Sequence, residues 1–299
     1  MKVVVIGGAG FLGSHIADHL THEGYDVTIF DATPSNWLKK NQKMIVGNIL
    51  DQNELEKCLK EAKIVYHLAS IADISQASSN PVETVRMNIL GTALVLDACV
   101  KTNIERFIFA STVYVYSHKG GFYRASKQAS ETLIETYHEK FNLDYTILRY
   151  GSLYGPRAQE WNGLRHYVVQ AVRDNEILFG GTGEERREYI HVTDAARLSI
   201  SVLDKKFVNK CMTLTGSQIL TGNELVKMIQ EIVGINIQVK FSAEAKAHDH
   251  YVMTPYRFTP KRGMKMIPDT FVDIGHGILE IVEEVSEEIN EQNSHTDSY

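Results

Sequence analysis

Short runs of β-branched and aromatic residues recur through the first half of the chain, each followed by a longer amphipathic stretch. VVVI (3–6), VTIF (27–30), MIV (44–46), IVYH (64–67), RFIFA (106–110) and YTILR (145–149) read as strands, and the segments near 12–23, 53–61, 82–102 and 123–141 as helices. The strands are continuously apolar rather than alternating, which predicts a sheet covered on both faces. Strand–helix alternation then predicts a parallel, doubly wound α/β sheet. After GSLYGPR (151–157) the rhythm changes to helices mixed with short strands and loops, so a smaller second α/β lobe is expected. The division is placed at 1–155 and 156–292. The acidic, polar end is expected to fray beyond about residue 290, leaving 293–299 outside both lobes. No internal repeat is visible.

Bulk composition removes several function classes. At 43% hydrophobic and 23% charged residues, the 299-residue chain has the balance of an ordinary globular protein. Its net charge of −6 and lack of a basic block argue against nucleic-acid binding. Cys58, Cys99 and Cys211 are far apart and unpaired in spacing, which fits neither a disulfide framework nor a zinc cluster and suits a reducing, cytoplasmic setting. The opening MKVVVIGGAG is too short and too glycine-broken for a signal peptide, and no apolar run approaches the ~18 residues of a membrane span. His15, His19 and His22 share one face of the first helix, but no acidic or thiol cluster accompanies them and the helix is expected to pack on the sheet, so no metal is assigned.

In VVVIGGAGFLGSHIADHL, Gly7, Gly10 and Gly13 follow the first strand and open a helix. Glycines there allow a tight turn and close backbone approach, while a helix N-terminus favours a pyrophosphate. The spacing is one residue longer at the front than the usual dinucleotide fingerprint. Asp31 ends the second strand in VTIFDAT, where a carboxylate binds ribose hydroxyls and repels a 2′-phosphate, favouring NAD over NADP. A glycine turn with a surface aspartate is the plainer alternative.

Tyr123 and Lys127, in GGFYRASKQASE, fall one helical turn apart on one face. An ammonium beside a phenol favours the phenolate and would lower the phenol's pKa. Spacing alone leaves open whether the two form an acid–base pair or merely share a helix face. Their context favours the pair. Thr112 ends the fifth strand eleven residues earlier, at the edge where parallel sheets bind ligands. A hydroxyl, a phenol and an ammonium can converge there to take the proton from an alcohol losing hydride.

GGAGFLGSH, FD (30–31), GNILD (47–51), YHLAS (66–70), NILGT (88–92), ASTVYVY, YRASK, LRYGSLYGPR and RREYIHVTDAA together resemble the extended short-chain dehydrogenase/reductases, specifically the NAD-dependent nucleotide-sugar epimerase/dehydratase branch. The similarity runs over roughly 1–200, more faintly to about 270. The resemblance implies an NAD-binding Rossmann domain and a C-terminal lobe for a nucleoside-diphosphate sugar. It makes Tyr123 the acid/base, Lys127 its electrostatic partner and ribose ligand, and Thr112 a second hydrogen-bonding group on the substrate. It places Gly7, Gly10, Phe11, Leu12, Gly13 and Asp31 on the cofactor, Asn48 and Ile49 by the adenine, Leu68, Ala69 and Ser70 along the cofactor, and Tyr150 near the nicotinamide. Arg187 matches the arginine that clamps the diphosphate, with Arg186 able to exchange roles or a surface ion pair as the alternative. A homodimer paired through the helices near 82–102 and 123–141 is also implied. The apolar ALVLDACV (93–100) would suit that interface or an intramolecular core equally.

Three departures bear on the reaction. The family's dehydratases carry an Asp–Glu pair just after the catalytic threonine, and here those places hold Val113 and Tyr114. The segment between Thr112 and Tyr123 is short, leaving Tyr114 and Tyr116 either to fill the sugar pocket or to pack inward. RYFN becomes RYGS, with Ser152 in place of an asparagine that contacts substrate phosphate and Gly151 either enlarging the pocket or neutral. The polar and aromatic HDHYVMTPYRF (248–258) is either a wall of the base pocket or a surface loop.

The expectation is a nucleotide-sugar epimerase of glycoconjugate or surface-polysaccharide precursor synthesis, removing hydride transiently, most often at C4 in this branch. A net 4-dehydrogenase needs the same three residues. Decarboxylation and 4,6-dehydration rank lower, and a non-catalytic NAD(H)-binding protein would not be expected to keep all three.

Overall fold

The structure is a computed structural model that describes residues 1–234, 236–242, 250–255 and 263–296. The chain opens with β1 (Lys2–Ile6), α1 (Phe11–His22), β2 (Asp26–Asp31), β3 (Gln42–Val46), α2 (Gln52–Leu59) and β4 (Ile64–His67). Then come α3 (Ile74–Ser79), α4 (Pro81–Thr84), a single π-helical turn (Val85–Leu90), α5 (Gly91–Lys101), β5 (Arg106–Thr112), a 3₁₀ turn (Val113–Tyr116), α6 (Gly121–Phe141) and β6 (Tyr145–Tyr150). All six strands expected from the apolar runs are present. β4 and β6 are buried along their whole length, as strands covered on both faces must be.

Beyond them lie β7 (Ser152–Tyr154), α7 (Gly163–Asp174), β8 (Glu176–Phe179), β9 (Arg186–His191), α8 (Val192–Ser201), β10 (Lys210–Leu214), β11 (Ile219–Thr221), α9 (Gly222–Val233), β12 (Gln238–Phe241), β13 (Gly263–Met266) and α10 (Ile274–Thr296). The main sheet has eight parallel strands in the order β13-β10-β6-β5-β4-β1-β2-β3. Its order reverses between β1 and β4, which opens a crevice at their C-terminal ends. Two of the eight strands, β10 and β13, return to this sheet from beyond residue 200. The acidic end is helical to Thr296, and residues 297–299 lie outside the described residues.

Hydrophobic clusters hold these layers. α1 and α8 bury Ile16, Leu20, Ala195 and Leu198 on one face of the sheet. α2, α5 and α6 bury Leu55, Leu59, Val95, Leu96 and Ile134 on the other. Val95, Leu96, Ala98 and Cys99 are completely buried, so ALVLDACV spends these apolar side chains inside its own molecule. The third cluster joins α7, α9 and α10 through Val168, Ile229, Ile278 and Ile281. Local capping fixes where helices start: Asp51 accepts from the N–H groups of Asn53 and Glu54, and Thr221 and Glu224 form a reciprocal box at α9. Among the described residues no helix is long and apolar enough to cross a membrane, and no group of three or more His, Cys, Asp or Glu side chains is placed to hold a metal. His15 instead points its Nε2 at the Pro156 carbonyl, 3.1 Å away.

Candidate active site

The three glycines after β1 serve different ends. Gly7 has φ +83°, and a Cβ there would lie 2.4 Å from the Ala69 nitrogen. At Gly13 a Cβ would lie 2.1 Å from the Gly7 carbonyl oxygen, so helix and turn touch backbone to backbone. Gly10 has only that oxygen nearby, at 3.5 Å, which leaves its outer side open to a ligand. Gly10 stands at the N-cap of α1 with no side-chain cap, and Phe11 and Leu12 occupy the first turn with buried side chains. An uncapped first turn bearing an open glycine fits a pyrophosphate. The Asp31 carboxylate anchors this loop by accepting from the Ala9 N–H at 3.0 Å and the Thr33 N–H at 3.2 Å. These residues fit a dinucleotide.

Around that loop, Leu68 and Ala69 both donate their N–H groups to the Ile6 carbonyl, at 2.8 and 3.1 Å, and so lie along the crevice. Ser70 turns its hydroxyl back to Leu68. Ile49 is buried, while Asn48 is exposed and accepts the Leu50 N–H at 2.9 Å. Tyr150 pairs with Thr112 across β5 and β6, but its hydroxyl is committed to Ser199 of α8 at 2.6 Å. Its phenol therefore points away from the Tyr123 group, and only its backbone stays close to Thr112.

Tyr123, Lys127 and Thr112 come together at the C-terminal edge of β5. Lys127 is buried; its Nζ donates to the Ala110 carbonyl at 2.8 Å, lies 4.8 Å above the Phe109 ring and sits 5.8 Å from the Tyr123 ring centre. Burial lowers its pKa to about 7, and the charge of Glu131 one turn on opposes that shift. Burial pushes Tyr123 up to about 12, against the pull of a hydrogen bond with the Thr112 hydroxyl. The lowered phenol pKa expected from the Tyr–Lys spacing is thus reversed within the protein alone, because desolvation of a phenolate outweighs its partners.

The remaining candidates meet on the opposite wall. Arg187 of β9 holds its guanidinium 5.7 Å from the Tyr251 ring centre, and the phenols of Tyr189, Tyr114, Tyr251 and Tyr167 favour its charge against burial. Among the described residues no carboxylate forms an ion pair with it, whereas Arg186 is exposed. Ser152 hydrogen-bonds the Tyr251 hydroxyl at 3.1 Å. A Cβ at Gly151 would lie 2.9 Å from the Thr215 methyl and 3.2 Å from the Glu188 carbonyl, so the space beside this glycine is filled by protein rather than added to a pocket.

Several participants carried no sequence signal of their own. Asn88, within the π turn, accepts the Ile71 N–H at 2.7 Å and donates to the Ile71 carbonyl and the Ser126 hydroxyl, tying the β4 loop to the helix that carries Tyr123. The NILGT motif contained it without assigning it this task. Arg149 and Glu131 form a buried bidentate pair, 3.0 and 2.6 Å, with Ser111 on the same carboxylate. Tyr116 packs inward and accepts from Arg149 at 2.5 Å, whereas Tyr114 faces Tyr123 and meets His250. Residues 250–255 run beside β9, with Arg186 donating to the Val252 carbonyl and Thr254 to the Arg186 carbonyl. Residues 248, 249 and 256–258 of HDHYVMTPYRF lie outside the described residues.

Against known proteins, residues 3–211 match the model of the "NAD dependent epimerase/dehydratase family". The chain is 29% identical to a UDP-N-acetyl-alpha-D-glucosaminuronate decarboxylase of Bacillus cytotoxicus, over 91% of this chain and 89% of the relative. It is 26% identical to a putative UDP-glucose 4-epimerase of Methanocaldococcus jannaschii, over 94% and 97%. A UDP-glucose 4-epimerase of Thermotoga maritima, solved with UDP-glucose, shares the fold with a TM-score of 0.85 at 24% identity, covering 97% of this chain and all of that one.

Proposed function

The chain belongs to the NAD dependent epimerase/dehydratase family, and on that premise we propose that it is a nucleotide-sugar 4-epimerase. The observation that carries this reading is the gathering of Tyr123, Thr112 and Lys127 at one sheet edge, with Val113 and Tyr114 where a dehydratase needs two carboxylates. NAD, when bound, supplies the acceptor and donor of hydride. Tyr123 removes the proton from the sugar hydroxyl as the carbon is oxidised and returns it as the ketone is reduced. Thr112 holds the same oxygen, and Lys127 places its charge behind the phenol. Arg187 and Ser152 hold the diphosphate, a task to which an aromatic-walled guanidinium with no carboxylate partner among the described residues is suited. Relatives named for UDP-sugars support uracil as the base.

Residues 1–155 are assigned to the cofactor and 156–292 to the substrate, with β10 and β13 lent back to the first sheet. Exposed Val82, Val85 and Leu90, together with Phe122 and Phe141 of α6, support a homodimer through these helices. Cys58, Cys99 and Cys211 are buried and none forms a disulfide among the described residues, which suits a reducing cytoplasm. A decarboxylase is the second reading, favoured by the glucosaminuronate decarboxylase among the relatives. A net 4-dehydrogenase would use the same residues. Tyr123→Phe tests the site: epimer formation should fall by about 10²–10⁴-fold while NAD stays bound. Unimpaired turnover would remove Tyr123 from the chemistry.

A further inference from the structure

The sugar of a nucleotide sugar must bridge two fixed points, its diphosphate and its reacting carbon. Here those points are Arg187 with Ser152 on one side and Tyr123 on the other. Tyr114 stands between them. Its ring meets Tyr123 edge-on, with centroids 6.2 Å apart and planes at 75°. On its other side it lies 4.7 Å from Tyr251, whose hydroxyl bonds Ser152 and whose ring faces Arg187. Of the four residues in the 3₁₀ turn, Val113 and Tyr116 are buried while Tyr114 and Val115 stay partly exposed, and Tyr114 is the one in ring contact with Tyr123. The short loop is shaped around this ring: a Cβ at Gly120 would lie 2.7 Å from the Tyr114 Cδ1. The hydroxyl is held too, 2.6 Å from the His250 Nδ1.

We propose that Tyr114, positioned by His250, determines sugar specificity by accepting a hydrogen bond from a sugar hydroxyl next to the carbon that reacts at Tyr123. The inference deepens the nucleotide-sugar reading and rests on it. When the phenol donates to the His250 Nδ1, its oxygen keeps a lone pair for an incoming hydroxyl. Tyr114 then supplies polar recognition from the short segment between Thr112 and Tyr123, while Tyr123 alone moves the proton.

The test is calorimetric titration of the NAD-loaded protein with UDP and with UDP-glucose, UDP-galactose, UDP-N-acetylglucosamine and UDP-glucuronate. At least one sugar should bind more tightly than UDP. Tyr114→Phe should weaken that ligand by about tenfold and leave UDP unmoved, the loss of one neutral hydrogen bond and its alignment. His250→Leu should reproduce the loss, whereas His250→Gln, whose amide oxygen can accept the phenol's proton, should restore most of the affinity. Retention of the full sugar preference in Tyr114→Phe overturns the proposal. So does an equal loss of UDP and UDP-sugar affinity, which would mark a structural role. If wild-type protein binds UDP but prefers no sugar, the proposal falls together with the nucleotide-sugar reading; sugar binding that ignores Tyr114 leaves that reading standing.

Discussion

Lys127 is a buried amine with its pKa lowered to about 7, and the sign of its effect on folding follows directly. Between that value and its unfolded value of 10.5 the unfolded chain binds more protons than the folded one, so stability contributed through Lys127 rises with pH across this window. Comparing urea unfolding of wild type and Lys127→Met should show the wild type gaining on the variant as pH rises from 7 toward 10.5, by at most about 1.4 kcal/mol per pH unit. A flat difference would mean that the amine is not desolvated. Tyr123 works in the opposite sense and in a separate window. Its pKa is raised from 10.0 to about 12, so its contribution is present at neutral pH and is lost only above 10. The protonated phenol is ready to act as acid at neutral pH. In the base role proposed for it, the Thr112 hydrogen bond is the contact that offsets burial.

At the scale of single elements, the β1–α1 turn separates folding from binding at neighbouring glycines. Gly13→Ala would drive a Cβ to 2.1 Å from the Gly7 carbonyl, so the turn must open, and both NAD binding and thermal stability should fall. Gly10→Ala meets only an ordinary 3.5 Å contact and should fold nearly as well, but its methyl stands where a pyrophosphate approaches, so NAD affinity alone should drop. Thermal unfolding with and without NAD distinguishes these outcomes. Equal behaviour of the two variants would contradict the roles assigned. This turn was legible in the sequence because glycine spacing, a strand before it and Asp31 after it are local features. The Asn88 clamp was not. A π turn has no residue signature, and its partners at Ile71 and Ser126 are 17 and 38 positions away. The Glu131–Arg149 pair was hidden for the same reason: only the packing of α6 on β6 brings the two charges together, and a lone buried glutamate on a helix reads as an exposed one.

Across the whole molecule, the alternation of apolar runs and amphipathic helices anticipated the parallel sheet, since covering both faces of each strand leaves a continuous hydrophobic signal. It did not anticipate β10 and β13 at the sheet's far edge. KCMTL and GMKM are short and each carries a lysine, and what makes them strands is the edge that β6 offers to β10 and β10 in turn to β13, rather than their own pattern. The second wall of the site depends on the same long-range assembly. Tyr251 and His250 reach Arg187, Ser152 and Tyr114 because residues 250–255 run beside the start of β9, so the polar, aromatic HDHYVMTPYRF offered them as wall or loop without saying which residues they meet. The reading as an epimerase joins both walls: a proton-transfer group on the first and a cationic clamp on the second, with no carboxylate at Val113 or Tyr114 to expel water. The most direct test is the mass and identity of the product after the purified protein meets UDP-sugars and NAD. The account predicts a product of unchanged mass that is the C4 isomer of its substrate. Loss of two hydrogens, of carbon dioxide or of water would contradict it, identifying a dehydrogenase, a decarboxylase or a dehydratase in turn.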